Sequence, residues 1–151
     1  MIAQTFQPLG TSGVPWGDAE KIQWRARHDK QRSYVDEVVS KLNTLLESFK
    51  LLQYGELDYG DDGHYPLYAL RGKYWDDALP VALVTGGVHG YETSGVHGAL
   101  LFAQQYAGAF EGRLNLLIAP CVSPWAYERI HRWNPHALDP NRNFVANSPC
   151  G

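Results

Sequence analysis

The segment VALVTGGVHGYE, residues 81–92, is the most informative part of this chain for its fold. It continues an almost unbroken apolar run from Leu79, which predicts a strand covered on both faces, as in a parallel sheet. Glycines at positions 86, 87 and 90 then allow the backbone to turn sharply. His89 and Glu92 lie in this bend, and imidazole and carboxylate are both good ligands for Zn²⁺. The segment therefore predicts half of a zinc site at the end of a strand.

A second apolar run, residues 114–119, follows a stretch with helical spacing of apolar residues at 94–110. The order strand, helix, strand predicts a right-handed crossover and a parallel pair. Upstream, seven apolar residues between positions 35 and 49 have the spacing of one helical face, which predicts a long surface helix. Residues 51–59 and 65–74, separated by the turn sequence GDDG, predict a hairpin. Beyond residue 120 the sequence is typical of loops.

The composition excludes several classes of protein. Hydrophobic residues make up 44% of the 151 residues and charged residues 19%, which suits a single folded domain. Thirteen Lys and Arg against sixteen Asp and Glu give a formal charge of -3 without a basic stripe, so we expect neither nucleic acid nor a membrane as partner. The N-terminus lacks the pattern of a signal peptide, and no segment approaches about 18 consecutive apolar residues. We therefore expect a cytoplasmic protein.

A second polar cluster follows the second predicted strand. It consists of Arg132 and the sequence DPNRNF at residues 139–144. Together with the H-x-x-E motif of His89 and Glu92, this cluster resembles the zinc carboxypeptidase A-like metallopeptidases. In that family H-x-x-E follows a central strand, and D-x-N-R-N with an aromatic residue comes later, preceded by a further arginine. The resemblance covers roughly residues 80 to 145 and is weak before them.

The resemblance implies a zinc site with two ligands in this chain. His89 and Glu92 would be two of three zinc ligands. Asp139 would accept a hydrogen bond from His89 and hold its tautomer, as metal-bound histidines usually require.

The same resemblance implies roles for three further residues. Arg132 would be the catalytic residue that stabilises the oxyanion as it develops. Asn141 and Arg142 would bind the terminal carboxylate of the substrate, for which a planar guanidinium is the natural partner. Taken singly, each residue also fits an ordinary surface or turn position. Their order and placement together favour function.

The third zinc ligand of the family, a histidine, and its general base, a glutamate, lie further downstream than this sequence extends. We therefore expect residues 1–151 to be the N-terminal part of a single catalytic domain, with the C-terminal part absent. A short homologue that has lost catalysis is the alternative. An incomplete sheet would leave apolar surface uncovered, which favours self-association.

The fold implied by the resemblance is α/β, with a mostly parallel central sheet flanked by helices, as in phosphorylase/hydrolase-like proteins. The implied activity is that of a zinc-dependent carboxypeptidase, which removes the C-terminal residue of a peptide. Two alternatives stay open. One is an N-acyl amino acid deacylase of the succinylglutamate desuccinylase and aspartoacylase type, and the other is a noncatalytic binding protein on a degenerate peptidase scaffold. Both the carboxypeptidase and the deacylase would take a substrate with a free carboxylate.

Overall fold

The structure is a computed structural model that describes residues 8–146. Within these residues, four strands form one open sheet that is flanked by helices. The elements in chain order are α1 (Asp18–Arg25), a π-helical turn (Val35–Val39) that continues into α2 (Ser40–Asn43), β1 (Phe49–Asp58), β2 (His64–Gly72), β3 (Val81–Thr85), α3 (Thr93–Gln105), β4 (Asn115–Ala119) and α4 (Pro124–Arg129). Short 3-10 turns lie at Gly60–Asp62, Ala107–Phe110 and Pro140–Arg142.

The sheet has the strand order β1-β2-β4-β3. Strand β3 is parallel to β4, with Val81 opposite Asn115 and Thr85 opposite Ala119, so the predicted parallel pair is confirmed. The hairpin of β1 and β2 is also confirmed, and β2 pairs antiparallel with β4. The α/β fold with an open sheet and flanking helices is therefore confirmed, but the described sheet is mixed rather than mostly parallel. The reason is that the hairpin adds two antiparallel pairings to the single parallel one.

Strand β3 lies at the edge of the described sheet and is covered on one face only. Ala82 and Val84 pack against the core, whereas Val81 is 57% exposed and Leu83 is 62% exposed. The prediction of a strand covered on both faces is therefore wrong for the part of the chain that the structure describes. A continuous apolar run indicates what a strand can bury, and it does not indicate whether a second layer is present.

The core lies between the sheet and the helices. Leu70 and Ile118 from the two central strands are fully buried there, together with Val38 and Leu42 from the segment that includes α2 and with Val96 from α3. The apolar spacing of residues 35–49 predicted one long helix, and this prediction is wrong in part. The π-helical turn holds more residues per turn than an α-helix and moves Val35 off the buried face, and the helix ends at Asn43.

Helix α4 replaces part of the predicted loop after residue 120. Its first turn contains Pro124, a residue that is common at the start of helices because the N–H it lacks would have no partner within the helix there. Trp125, Ala126, Tyr127 and Glu128 of this helix are all buried. No helix within residues 8–146 is long and apolar enough to cross a membrane.

Candidate metal centre

The bend after β3 is tied to the end of β4 by backbone hydrogen bonds. The Gly86 N–H donates to the Ala119 carbonyl at 2.9 Å, and the Val122 N–H donates to the Gly86 carbonyl at 3.1 Å. Gly87 has a φ of +63°, in the left-handed region that favours glycine. The loops that follow the two parallel strands are therefore fixed side by side.

Gly90 allows this bend to pack directly against α4. A Cβ atom at position 90 would lie 1.9 Å from the carbonyl carbon of Ala126 and 2.2 Å from the amide nitrogen of Tyr127. Any side chain there would have to displace backbone rather than a flexible neighbour. The position of α4 thus fixes the path of the bend between His89 and Glu92.

The loop after α4 returns to the same bend. Ile130 has a φ of +53° and ends the helix, and the His131 N–H then donates to the Ala126 carbonyl at 2.9 Å. The His131 carbonyl accepts a hydrogen bond of 3.0 Å from the Tyr91 N–H. Further along, the buried Asn134 side chain accepts hydrogen bonds from two backbone N–H groups of its own loop. This loop therefore delivers Arg132 and Asp139 to the bend in a defined conformation.

His89 lies between two carboxylates. Its ring is buried, Nδ1 lies 3.0 Å from Glu92 Oε1, and Nε2 lies 2.9 Å from Asp139 Oδ1. A neutral imidazole has one N–H and can donate to only one of these oxygens. If Nε2 donates to Asp139, the Nδ1 lone pair faces a carboxylate oxygen of Glu92, and a cation shared by the two atoms would satisfy both. The donor set therefore fits two positions of a zinc site.

Arg132 lies behind Asp139 in the same cluster. Its Nε and one terminal nitrogen donate to Asp139 Oδ2 at 3.1 and 2.9 Å, and its other terminal nitrogen donates to the Tyr91 hydroxyl at 3.0 Å. The hydrogen bond to Asp139, with a smaller contribution from Tyr91, raises the pKa of Arg132 further. Arg132 is consequently a fixed positive charge, and the Asp139 carboxylate lies between it and His89.

The two carboxylates of the cluster are both held in their charged form. The contact with His89 Nδ1 lowers the pKa of Glu92 whenever that nitrogen carries a proton. Desolvation acts to raise the pKa of Asp139, but hydrogen bonds from His89 and Arg132 together with the Asn141 N–H hold it below its ordinary value. Charged carboxylates are the form that accepts hydrogen bonds and binds cations.

Asn141 and Arg142 lie on the 3-10 turn next to Asp139. The Asn141 N–H donates to Asp139 Oδ1 at 3.0 Å, which caps the turn. Both side chains are exposed, and within the described residues they do not join the hydrogen bonds around His89. The structure thus brings together His89, Glu92, Asp139 and Arg132, while carboxylate binding by Asn141 and Arg142 stays a prediction.

Within residues 8–146, no three His, Cys, Asp or Glu side chains are grouped so that they could hold a metal ion. The described chain therefore supplies two candidate ligands and a supporting carboxylate.

Sequence reasoning missed two contributors to the centre. Tyr91 lies inside the H-x-x-E motif, and its contact with Arg132 joins two segments that are far apart in the sequence. Glu128 is 2% exposed and accepts hydrogen bonds from the Tyr34 N–H and the Tyr65 hydroxyl, with Lys30 Nζ at 2.7 Å. It fixes α4 against the hairpin and the segment before α2. Its sequence position gives no periodic signal, because α4 itself was not predicted.

The fold is similar to that of metallopeptidases of known structure. Solved structures of similar fold include candidate metallopeptidases from Shewanella baltica OS155, with 27% identity and a TM-score of 0.62, and from Shewanella amazonensis SB2B, with 30% identity and a TM-score of 0.53. Each match covers 75% of this chain and 41% of the other chain. A metallo-carboxypeptidase from Burkholderia cenocepacia shares the fold at 16% identity, with a TM-score of 0.52 over 72% of this chain and 31% of its own.

The predicted resemblance to carboxypeptidase-like metallopeptidases is therefore confirmed at the level of the fold. The chain spans about 41% of the length of the Shewanella structures. Comparison of the sequence with protein-family models gives no match, and comparison with curated proteins gives none either.

Proposed function

We propose that this chain is part of a zinc-dependent hydrolase of carboxypeptidase type, which cleaves the C-terminal residue from a peptide. The main support is the position of His89, with a carboxylate oxygen 3.0 Å from one ring nitrogen and another 2.9 Å from the other. This arrangement leaves one nitrogen for a metal and uses the other for orientation. The metallopeptidase fold of the neighbouring structures supports the same class.

His89 Nδ1 and the Glu92 carboxylate would hold the metal, with a third ligand from outside the described residues. Zinc bound there supplies a Lewis acid that lowers the pKa of a bound water to about 7 and polarises a carbonyl. Asp139 would keep the proton of His89 on Nε2, because its Oδ1 lies 2.9 Å from that atom and can accept it. Asp139 would thereby orient the ring and leave the Nδ1 lone pair available.

Arg132 would stabilise the oxyanion that forms at the scissile carbonyl. Its side chain is 37% exposed, so the guanidinium reaches both Asp139 and solvent. A charge that is held by Asp139 and Tyr91 before substrate arrives needs little reorganisation during the reaction. Asn141 and Arg142, exposed on the adjoining turn, would bind the free C-terminal carboxylate of the substrate.

The metal site is tested by zinc affinity of the 151-residue protein, measured by competition with a chromophoric chelator. We expect His89→Ala to weaken binding by at least about tenfold, because half of the candidate donor set is lost. His64→Ala is the matched control, since His64 also contacts a carboxylate, Glu56, at 3.2 Å but is exposed. Equal affinity of His89→Ala and wild type would contradict the proposed site.

The substrate class is tested on a zinc-loaded protein that contains this chain. One peptide is offered with a free C-terminus and with an amidated C-terminus, beside an N-acyl amino acid. Cleavage of the free peptide alone is the expected result, because Asn141 and Arg142 would recognise its carboxylate. Hydrolysis of only the N-acyl amino acid would favour the deacylase, and binding without hydrolysis would favour a noncatalytic protein.

A further inference from the structure

Tyr91 lies between the two halves of the candidate metal centre and is not a core residue. Its side chain is exposed, with 43% of its surface accessible to solvent. Its ring is almost parallel to the His89 ring, at an interplanar angle of 14° and a centroid distance of 5.9 Å. Burial of apolar surface therefore does not explain the conformation of this side chain, and its polar contacts have to be considered.

The Tyr91 hydroxyl connects the bend with Arg132. It accepts a hydrogen bond of 3.0 Å from a terminal nitrogen of Arg132. The same guanidinium donates to Asp139 Oδ2, and Asp139 Oδ1 lies 2.9 Å from His89 Nε2. Tyr91 also adds to the larger effect of His89 in lowering the pKa of Glu92. The hydroxyl thus holds the arginine that in turn holds the carboxylate behind the candidate metal ligand His89.

The backbone of Tyr91 is held as firmly as its side chain. Its N–H donates to the His131 carbonyl at 3.0 Å, in the residue next to Arg132. Tyr91 therefore contacts the loop of Arg132 twice, once through its backbone and once through its hydroxyl. Two contacts of this kind fix the separation between the loop and the bend.

We propose that Tyr91 is a positioning residue of the candidate metal centre, which holds the Arg132 guanidinium, and through it the Asp139 carboxylate, in place beside the His89 ring. This inference rests on the proposed function, but the contacts can be tested without activity. The hydroxyl accepts the hydrogen bond from Arg132, and the ring supplies the contact with His89. Phenylalanine at position 91 would keep the ring and lose this hydrogen bond.

The first measurement is Co²⁺ affinity of the 151-residue protein, together with the visible absorption of the bound ion. We expect Tyr91→Phe to weaken binding about tenfold, as is usual when a group that orients a metal ligand is lost. The absorption bands should also shift, because the Asp139 carboxylate beside the His89 ring is less constrained. Tyr106→Phe is the control, since Tyr106 is 56% exposed at the end of α3. If the wild type binds Co²⁺, unchanged affinity and spectrum in Tyr91→Phe would overturn the proposal.

The second measurement needs no metal and separates this proposal from the proposed function. The Arg132 Nε–H donates to Asp139, and its hydrogen exchange is followed by NMR in the metal-free protein. We expect exchange to be several-fold faster in Tyr91→Phe and unchanged in Tyr106→Phe, with equal unfolding midpoints. Unchanged exchange in Tyr91→Phe would overturn the positioning role, whatever the metal affinity. Faster exchange in a protein that binds no Co²⁺ would support the positioning role and contradict the metal site alone.

Discussion

His89 in the bend after β3 and His64 at the start of β2 each contact a carboxylate, at 3.0 Å and 3.2 Å respectively. The side chains of His64 and Glu56 are 53% and 55% exposed, whereas the His89 side chain is 6% exposed. A second carboxylate, Asp139, contacts the other nitrogen of His89, and Arg132 holds that carboxylate in turn. The distance between a histidine and a carboxylate thus says little about function. Burial and the partners behind the pair separate the candidate site from an ordinary surface contact.

The two regions also differ in how their backbones are held. The hairpin is a regular antiparallel ladder with one irregularity between Gln53 and Gly55, and a Cβ atom added at Gly55 would meet nothing within 4 Å. The bend around His89 instead depends on direct contact between the backbones of Gly90 and Ala126. The geometry of the candidate site is therefore far less tolerant of substitution than that of the hairpin.

Replacing Gly90 and, separately, Gly55 by alanine should give the largest difference in stability between the two regions. Gly90→Ala should lower the free energy of unfolding by more than about 3 kcal/mol, because its Cβ overlaps the backbone of α4. Gly55→Ala should change it by no more than about 0.5 kcal/mol. Urea unfolding of both variants measures the difference. Similar values would show that the bend can move away from α4 at little cost.

The sequence predicted those parts of the site whose residues are close together in the chain or follow the ends of parallel strands. His89 and Glu92 are three residues apart in one bend, so their proximity follows from the motif. Asp139 is 50 residues from His89, but the two parallel strands end at the same edge of the sheet. The strand-end rule and the family resemblance together indicated that the two segments meet.

Other features depend on packing that a single sequence does not encode in a periodic pattern. The exposed face of β3 depends on which layers are present around it, and Val81 and Leu83 have the same side chains in either case. The short helix α4 lacks enough residues for a helical period, and the contact of Tyr91 with Arg132 exists only once the loops are folded. The order of the strands likewise depends on where the hairpin attaches.

Replacing Glu128 and, separately, Glu56 by glutamine should give an intermediate difference in stability. Glu128 is 2% exposed, accepts two hydrogen bonds and pairs with Lys30. Glu128→Gln removes this buried charge and places an amide N–H₂ group opposite a hydrogen-bond donor. We expect a loss of about 3 kcal/mol in the free energy of unfolding. Glu56→Gln should cost less than about 0.5 kcal/mol, because the Glu56–His64 pair is exposed. Equal losses in thermal or urea unfolding would mean that Glu128 does not anchor α4.

The smallest expected effect is a loss of stability in acid, caused by His131 in the loop that carries Arg132. His131 faces His28 at a ring-centroid distance of 4.1 Å, together with the rings of Trp24 and Trp133. Burial, and then the neighbouring His28, lower the pKa of His131 to about 4. The unfolded chain binds this proton below about pH 6.5, so the folded state takes up fewer protons and loses stability as the pH falls from about 6.5 to 4.

His131→Phe should therefore flatten the pH dependence of urea unfolding between pH 6.5 and 4, even if its stability at pH 7 is lower. The Tyr91 N–H donates to the His131 carbonyl, so its exchange protection factor in the wild type should fall in acid before those of the hairpin amides. That order would place the acid-sensitive opening in the loop beside the candidate metal centre. If the free energy of unfolding of His131→Phe depends on pH as steeply as that of the wild type, another group causes the acid dependence. The bend and the hairpin would then differ in packing but not in their response to pH.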